Sequence, residues 1–196
     1  PRTSSVSVSP ATINFGEKTK IHINRASGSF THTLTFQWHG NNNTFASKIN
    51  YVDYDFTPSI DLSRYIPNGT SGWGTIVCET YSGGTKIGSS SAKLTINTVN
   101  DSRFQPVING FTISEGNSEV TTAVGAIYVQ SKSKLKVATN ASSKMYSTIS
   151  KIETKVGNAT YTGSSIVSGF VAESGNLNIV VTATDSRGYK ATSSKT

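Results

Sequence analysis

The chain has 196 residues and a formal net charge of +7, from 18 Lys and Arg against 11 Asp and Glu. Serine and threonine supply 56 of these residues, whereas only 15% are charged and 35% hydrophobic. Such a chain is neither collagen nor a heptad coiled coil, and with a single Cys it cannot be a disulfide-stapled miniprotein.

Threonine is β-branched and suits strands, and serine disfavours helix interiors. The composition therefore predicts an all-β protein, and period-2 alternation carries that expectation along the chain. Lys20–Asn24 places Ile21 and Ile23 on one face. Thr31–Trp38 places Leu34, Phe36 and Trp38 on one face and Thr33, Thr35 and Gln37 on the other. A single helical turn is expected, over Ile60–Ile66. Lys93–Ile96, Lys134–Val137, Lys151–Val156 and Leu177–Val181 then repeat the alternation. These stretches read as half-buried antiparallel strands. The turn signals Pro67-Asn68-Gly69, Ser82-Gly83-Gly84 and Asp185-Ser186-Arg187-Gly188 punctuate them, as in a β-sandwich.

A weak repeat divides the chain. Lys20–Asn24 resembles Lys136–Asn140 at an offset of 116 residues, and Thr75–Thr80 resembles Asn178–Ala183 at an offset of 103. Two units in tandem explain both matches, with about 13 extra residues in the first unit, within 41–74. The expected domains are 1–99 and 103–196, joined by a polar linker at about 97–105. Each has the size of an immunoglobulin-like sandwich. The predicted fold is thus all-β, with two tandem immunoglobulin-like antiparallel β-sandwiches.

Catalytic and metal chemistry finds little support. His22, His32 and His39 stand in no HxH or HExxH pattern, no CxxC occurs, and the bland reading makes them exposed strand or loop histidines. Cys78 shares a strand face with Ile76 and reads as a small buried hydrophobe. GxSxG, P-loop and GxGxxG motifs are absent. Asp53, Asp55 and Asp61 could suggest glycosidase carboxylates or a calcium loop, but read better as solvated loop acids. Five Asn-x-Ser/Thr sequons (Asn42, Asn68, Asn100, Asn140, Asn158) are about what 15 Asn in such a hydroxyl-rich chain produce by chance. No catalytic residue, metal or cofactor is expected. No apolar run of membrane-spanning length occurs, so no membrane insertion is expected either. The opening residues carry no signal peptide, and the missing initiator Met suggests a fragment of a longer polypeptide.

Binding features are sharper. Tyr51, Asp53, Tyr54, Asp55 and Phe56 fall within the extra segment, and Tyr65 and Trp73 follow. Aromatic rings can stack on pyranose faces while carboxylates and amides take hydroxyls, so these seven residues form a candidate sugar site. The competing reading has the rings cover the end of the sandwich. Trp38 belongs with Leu34 and Phe36 in the core, whereas Trp73, between Gly72 and Gly74, is the ring expected at the surface. Lys132, Lys134 and Lys136 alternate, which suggests a basic stripe on one strand face. It would either meet an anionic polymer or guard the edge of a sheet, where lysine blocks strand addition. No nucleic-acid motif accompanies it.

Several segments resemble a known family. Pro1-Arg2-Thr3-Ser4-Ser5, Phe30–Phe36, Ile66-Pro67-Asn68 and the hairpin Val181–Tyr189 resemble minor structural proteins of tailed phages of streptococci and related Gram-positive bacteria. The resemblance implies a virion tail or baseplate component built from tandem immunoglobulin-like domains, and offers no catalytic residues. The Cys-Trp-Cys signature of antibody domains is broken: Trp38 and Cys78 are present, but the strand of Ile21 and Ile23 has no Cys. The leading expectation is a non-enzymatic spacer or decoration of the phage tail, located in the virion outside the cell. Its partners would be other phage tail proteins and host cell-wall glycan. A carbohydrate-binding module recognising host wall polysaccharide is the alternative, and a bacterial surface adhesin fragment the third.

Overall fold

The computed structural model of the chain describes residues 2–120, 128–171 and 175–196, so Pro1 of the opening motif lies outside them. The chain divides into two compact units, Pro1–Val99 and Asn100–Thr196. Both are built almost wholly of strands.

Unit 1 contains β1 (Ser5–Ser9), β2 (Thr12–Asn14), β3 (Thr19–Asn24), β4 (Thr31–Trp38), β5 (Asn41–Ile49), β6 (Asp53–Phe56), a 3-10 helix (Ile60–Tyr65), β7 (Ser71–Ser82) and β8 (Thr85–Asn97). One sheet has the order β1-β3-β6 and the other β2-β8-β7-β4-β5. Every pairing is antiparallel except β2 with β8. The opening strand thus contributes to both sheets, leaving the first after β1 and running parallel to β8 in the second. Two sheets that share the chain in this way form the immunoglobulin-like sandwich.

The alternation predicted for β4 holds from Leu34 onward: Leu34, Phe36 and Trp38 are buried, and Gln37 is exposed. Thr33 departs from it and is buried, because the pairing of β4 with β5 shifts register between His32 and Thr35. Such bulges re-aim side chains locally. Trp38 packs edge-on against Phe15 and donates its indole N–H to the Leu62 carbonyl at 3.0 Å, which ties the 3-10 helix to the core. Two glycines make this packing possible. A Cβ on Gly74 would lie 2.5 Å from the Gln37 carbonyl oxygen and 2.6 Å from the Phe36 ring. One on Gly72 would lie 2.7 Å from the Trp38 ring. Trp73 between them faces outward.

Unit 2 contains β9 (Val107–Glu115), β10 (Lys134–Ser142), β11 (Ile149–Val156), β12 (Ala159–Thr162), β13 (Ser165–Phe170), β14 (Ile179–Asp185) and β15 (Lys190–Lys195). Its sheets are β13-β10-β9 and β12-β11-β14-β15, all antiparallel. The core is mostly aliphatic, with Leu135, Val137, Ile152, Val156, Val181 and Ala183 at its centre. The segments matched as a repeat occupy corresponding strands. Lys20–Asn24 and Lys136–Asn140 lie on β3 and β10, the middle strands of the three-stranded sheets, and Thr75–Thr80 and Asn178–Ala183 run along β7 and β14.

The lysine stripe needs correction. β10 is hydrogen-bonded on both sides, by β9 and β13, so it is no sheet edge. Lys132 precedes the strand in a turn, and only Lys134 and Lys136 share its outer face. The Lys134 ammonium lies 4.6 Å over the Phe170 ring and is partly buried there. Lysine alternation reports a solvated face, and nothing in it separates a middle strand from an edge.

Candidate functional site

A sandwich has unpaired edges wherever its two sheets do not hydrogen-bond to each other. In unit 1, β5 and β6 are such edges: β5 pairs only with β4 and β6 only with β3. Side chains fill the gap between them, and they leave a pocket of about 420 Å³. Phe45 and Asn43 enter it from β5, Tyr54, Asp55 and Phe56 from β6, and Thr57, Pro58, Ser59 and Leu62 from the connection that follows. The rings form a continuous series. Phe45 stacks on Phe56 at 4.5 Å between centroids, Tyr54 tilts against Phe45 at 5.1 Å, and Phe36 meets Phe56 edge-on at 5.4 Å.

Three of the seven candidate sugar residues therefore come together here, Tyr54, Asp55 and Phe56. Their roles differ from those expected. Phe56 is 7% exposed, so its ring is a core residue that floors the pocket rather than an open stacking surface. Asp55 alternates with Tyr54 and Phe56 along β6, and its carboxylate pairs with the Lys18 ammonium at 3.5 Å. Tyr54 is half-buried at the wall.

The other four candidates line other surfaces. Asp53 accepts a hydrogen bond from or ion-pairs with the His22 ring at 2.8 Å. Tyr51 is 49% exposed in the connection before β6. Tyr65, 38% exposed, ends the 3-10 helix with the Arg64 guanidinium over its ring. Trp73 is 58% exposed, and the Lys93 ammonium covers it at 5.0 Å.

Phe45 and Asn43 escaped the sequence reading. The signal was present but weak: Phe45 is the only large apolar residue between Asn41 and Lys48, opposite a bulged partner strand that blurs the alternation.

Unit 2 carries a second pocket in the corresponding gap, between its edge strands β12 and β13. Its volume is about 200 Å³, and Val156, Ala159, Tyr161, Phe170, Val171 and Leu177 make most of its wall. The Tyr161 hydroxyl there accepts the Gly169 N–H at 2.9 Å.

Cys78 and His32 are occupied structurally. Burial pushes the Cys78 thiol up to about 11, and the neighbouring Glu79 carboxylate adds to the shift. A thiol so protonated is a poor nucleophile. His32 corrects the expectation of exposed histidines: it is 1% exposed, with Nε2 2.7 Å from the Ser4 hydroxyl. Burial, helped by the Arg25 charge, holds its pKa below the usual value. Among the described residues no group of three or more His, Cys, Asp or Glu is placed to hold a metal ion. Nor is any helix there long and apolar enough to cross a membrane.

One family model, described as "Siphovirus protein of unknown function (DUF859)", matches residues 1–196. No curated protein compared with the chain matches it. Similar solved structures include a two-domain fibronectin type III segment of chicken tenascin. It is 12% identical, with 99% of this chain and 98% of that chain covered and a TM-score of 0.42. The fibronectin(III)-like modules of Clostridium thermocellum CbhA are 16% identical, with 96% and 90% covered and a TM-score of 0.35. A calcium-stabilised, ice-binding adhesin of an Antarctic bacterium is 13% identical, with 98% and 47% covered and a TM-score of 0.33. Likenesses of this size assign no function.

Proposed function

The chain belongs to this siphovirus protein family, and on that premise we propose that it is a non-enzymatic structural module of the phage tail or baseplate. The match over all 196 residues is the observation that carries the proposal. It favours a virion component over a bacterial surface adhesin. Two β-sandwich units, with Cys78 and His32 buried, suit a spacer or decoration that holds a position and touches a surface. Other tail proteins are its partners in the particle. Antibodies against the chain are expected to label the tails of purified virions in negative-stain electron micrographs. Labelling confined to capsids, or absence of the chain from purified virions, overturns the proposal.

The pocket between β5 and β6 favours a second role in host attachment. A concave site of about 420 Å³ with an aromatic floor and polar rim falls within the size range of small-ligand sites, roughly 300–1,000 Å³. We assign it to glycan of the Gram-positive host's cell wall. Weak individual contacts gain strength when many copies engage one surface. Fluorescently labelled chain should bind host cells and purified wall polysaccharide at micromolar concentration. Absence of binding to both removes this role and leaves the structural one standing.

A further inference from the structure

We propose that the β5–β6 pocket takes a neutral pyranose unit and excludes phosphate-bearing polymers, a specificity that rests on the glycan role just described. The argument starts from charge. Although the chain carries +7 overall, among the described residues no Lys, Arg or His lines the pocket, and the one charged residue there is Asp55, which is paired with Lys18. A phosphate entering this gap would lose water and approach the Asp55 carboxylate, and the Lys18 ammonium is already committed to that carboxylate. Both effects oppose binding. A neutral polyol meets neither cost.

The polar groups point the same way. Among the described residues, the Asn43 amide, the Tyr54 hydroxyl and the Thr57 hydroxyl make no hydrogen bond to another side chain or to the backbone. These three keep donors and acceptors available beside the Phe45 and Tyr54 rings. Hydroxyls to bond and an apolar C–H face to stack are what a pyranose presents.

The equivalent gap in unit 2 is the internal control. It has about half the volume, no ionisable carboxylate or amine on its wall among the described residues, and a tyrosine whose hydroxyl is already bonded to Gly169. The same gap is smaller and mainly apolar in one unit and larger and more polar in the other.

The test is saturation-transfer NMR on the full chain. The probes are the methyl glycosides of glucose, galactose, rhamnose and N-acetylglucosamine, with glycerol phosphate as the anionic probe. At least one neutral glycoside should bind with a Kd on the order of 1 mM, and glycerol phosphate should not. Asn43→Ala, at an exposed position, should weaken that binding about 2–10-fold, the loss of one hydrogen bond. Tyr54→Ala should abolish it, whereas Trp73→Ala and Tyr161→Ala should leave it unchanged. An unaltered far-UV spectrum identifies the folded variants, and Asn43→Ala keeps the test open if Tyr54→Ala misfolds. Binding of glycerol phosphate alone, of no probe, or of a glycoside with full affinity for both pocket variants overturns the proposal. The underlying glycan role fails separately, when the wild-type chain ignores purified wall polysaccharide. If the chain binds that polysaccharide and Asn43→Ala and Tyr54→Ala leave the binding intact, the role survives and this site for it does not.

Discussion

The two units set the same edge strands side by side and fill the space between them differently. Unit 1 adds large rings to an aliphatic core: Phe15, Phe36, Trp38 and Phe56 are all buried beside Ile21, Leu34, Ile76 and Leu94. Unit 2 packs with Leu135, Val137, Ile152, Val156, Val181 and Ala183. Branched aliphatic chains interdigitate closely across a sandwich, whereas planar rings need shaped neighbours and backbone room. Gly72 and Gly74 supply that room under Trp38 and Phe36. At the β5–β6 edge the rings stack on one another and leave about 420 Å³, against about 200 Å³ between β12 and β13. A shared strand order therefore leaves the cavity undetermined, and side-chain shape determines it.

Core truncations should separate the units most strongly. Trp38→Ala is expected to destabilise unit 1 by about 3–5 kcal/mol. Amide hydrogen exchange should show lost protection in β4 and β7 with β11 and β14 unchanged. Leu135→Ala should do the reverse at about 2–5 kcal/mol. Equal loss in both units for either variant would break the comparison by making the chain one cooperative body.

Gly74→Ala adds a methyl where no space exists, and should cost about 1–3 kcal/mol in urea unfolding. Gly28→Ala, with nothing within 4 Å of its new Cβ, should stay within about 0.5 kcal/mol.

Acid should sharpen the contrast further. The fold holds His32 below its ordinary value of 6.5, so the unfolded chain takes up a proton first as pH falls. Unit 1 should lose stability below pH 6.5, until the folded His32 also protonates. In unit 2 the carboxylates act in the same direction but in a lower pH window. Glu115 is held below its usual 4.5 by hydrogen bonds from Ser133 and backbone N–H groups that outweigh its desolvation. Lys151 does the same for Glu153, and Arg103 holds Asp101 below 3.8. Their contribution is present above those values and is lost only as pH falls through the lower folded ones. Between pH 6.5 and 4.5 unit 1 should therefore weaken first, as read by fluorescence of Trp38 and Trp73, which both belong to it. His32→Gln should flatten that response.

The smallest effect belongs to Trp73→Ala. Its ring is mostly solvated, so stability should change by no more than about 0.5 kcal/mol in thermal unfolding.

Much of the fold was legible locally. Alternation marked β3, β4, β10 and β11, the turn residues marked the β7–β8 and β14–β15 hairpins, and Ile60–Tyr65 formed the one expected helical turn. Trp38 and Cys78 went to the core and Trp73 to the surface, because strand parity decides which face a residue takes wherever no bulge interrupts it. The candidate pocket was half legible. Chemistry singles out Tyr54 and Asp55, whereas Asn43 and Phe45 beside them come from another strand, and a bulge hides their phase. His32 was misread because parity shows that it shares a face with Leu34 but not that Ser4, 28 residues earlier, will accommodate its ring.

The amino-acid sequence by itself determined an all-β protein, the faces of its strands and the turns between them, since these depend on neighbours two or three residues away. Tertiary structure alone decided which strands are edges, that β10 is not one of them, and that β5 and β6 enclose a pocket. Those outcomes depend on pairings and packing between residues far apart in the chain, and local periodicity carries no record of them.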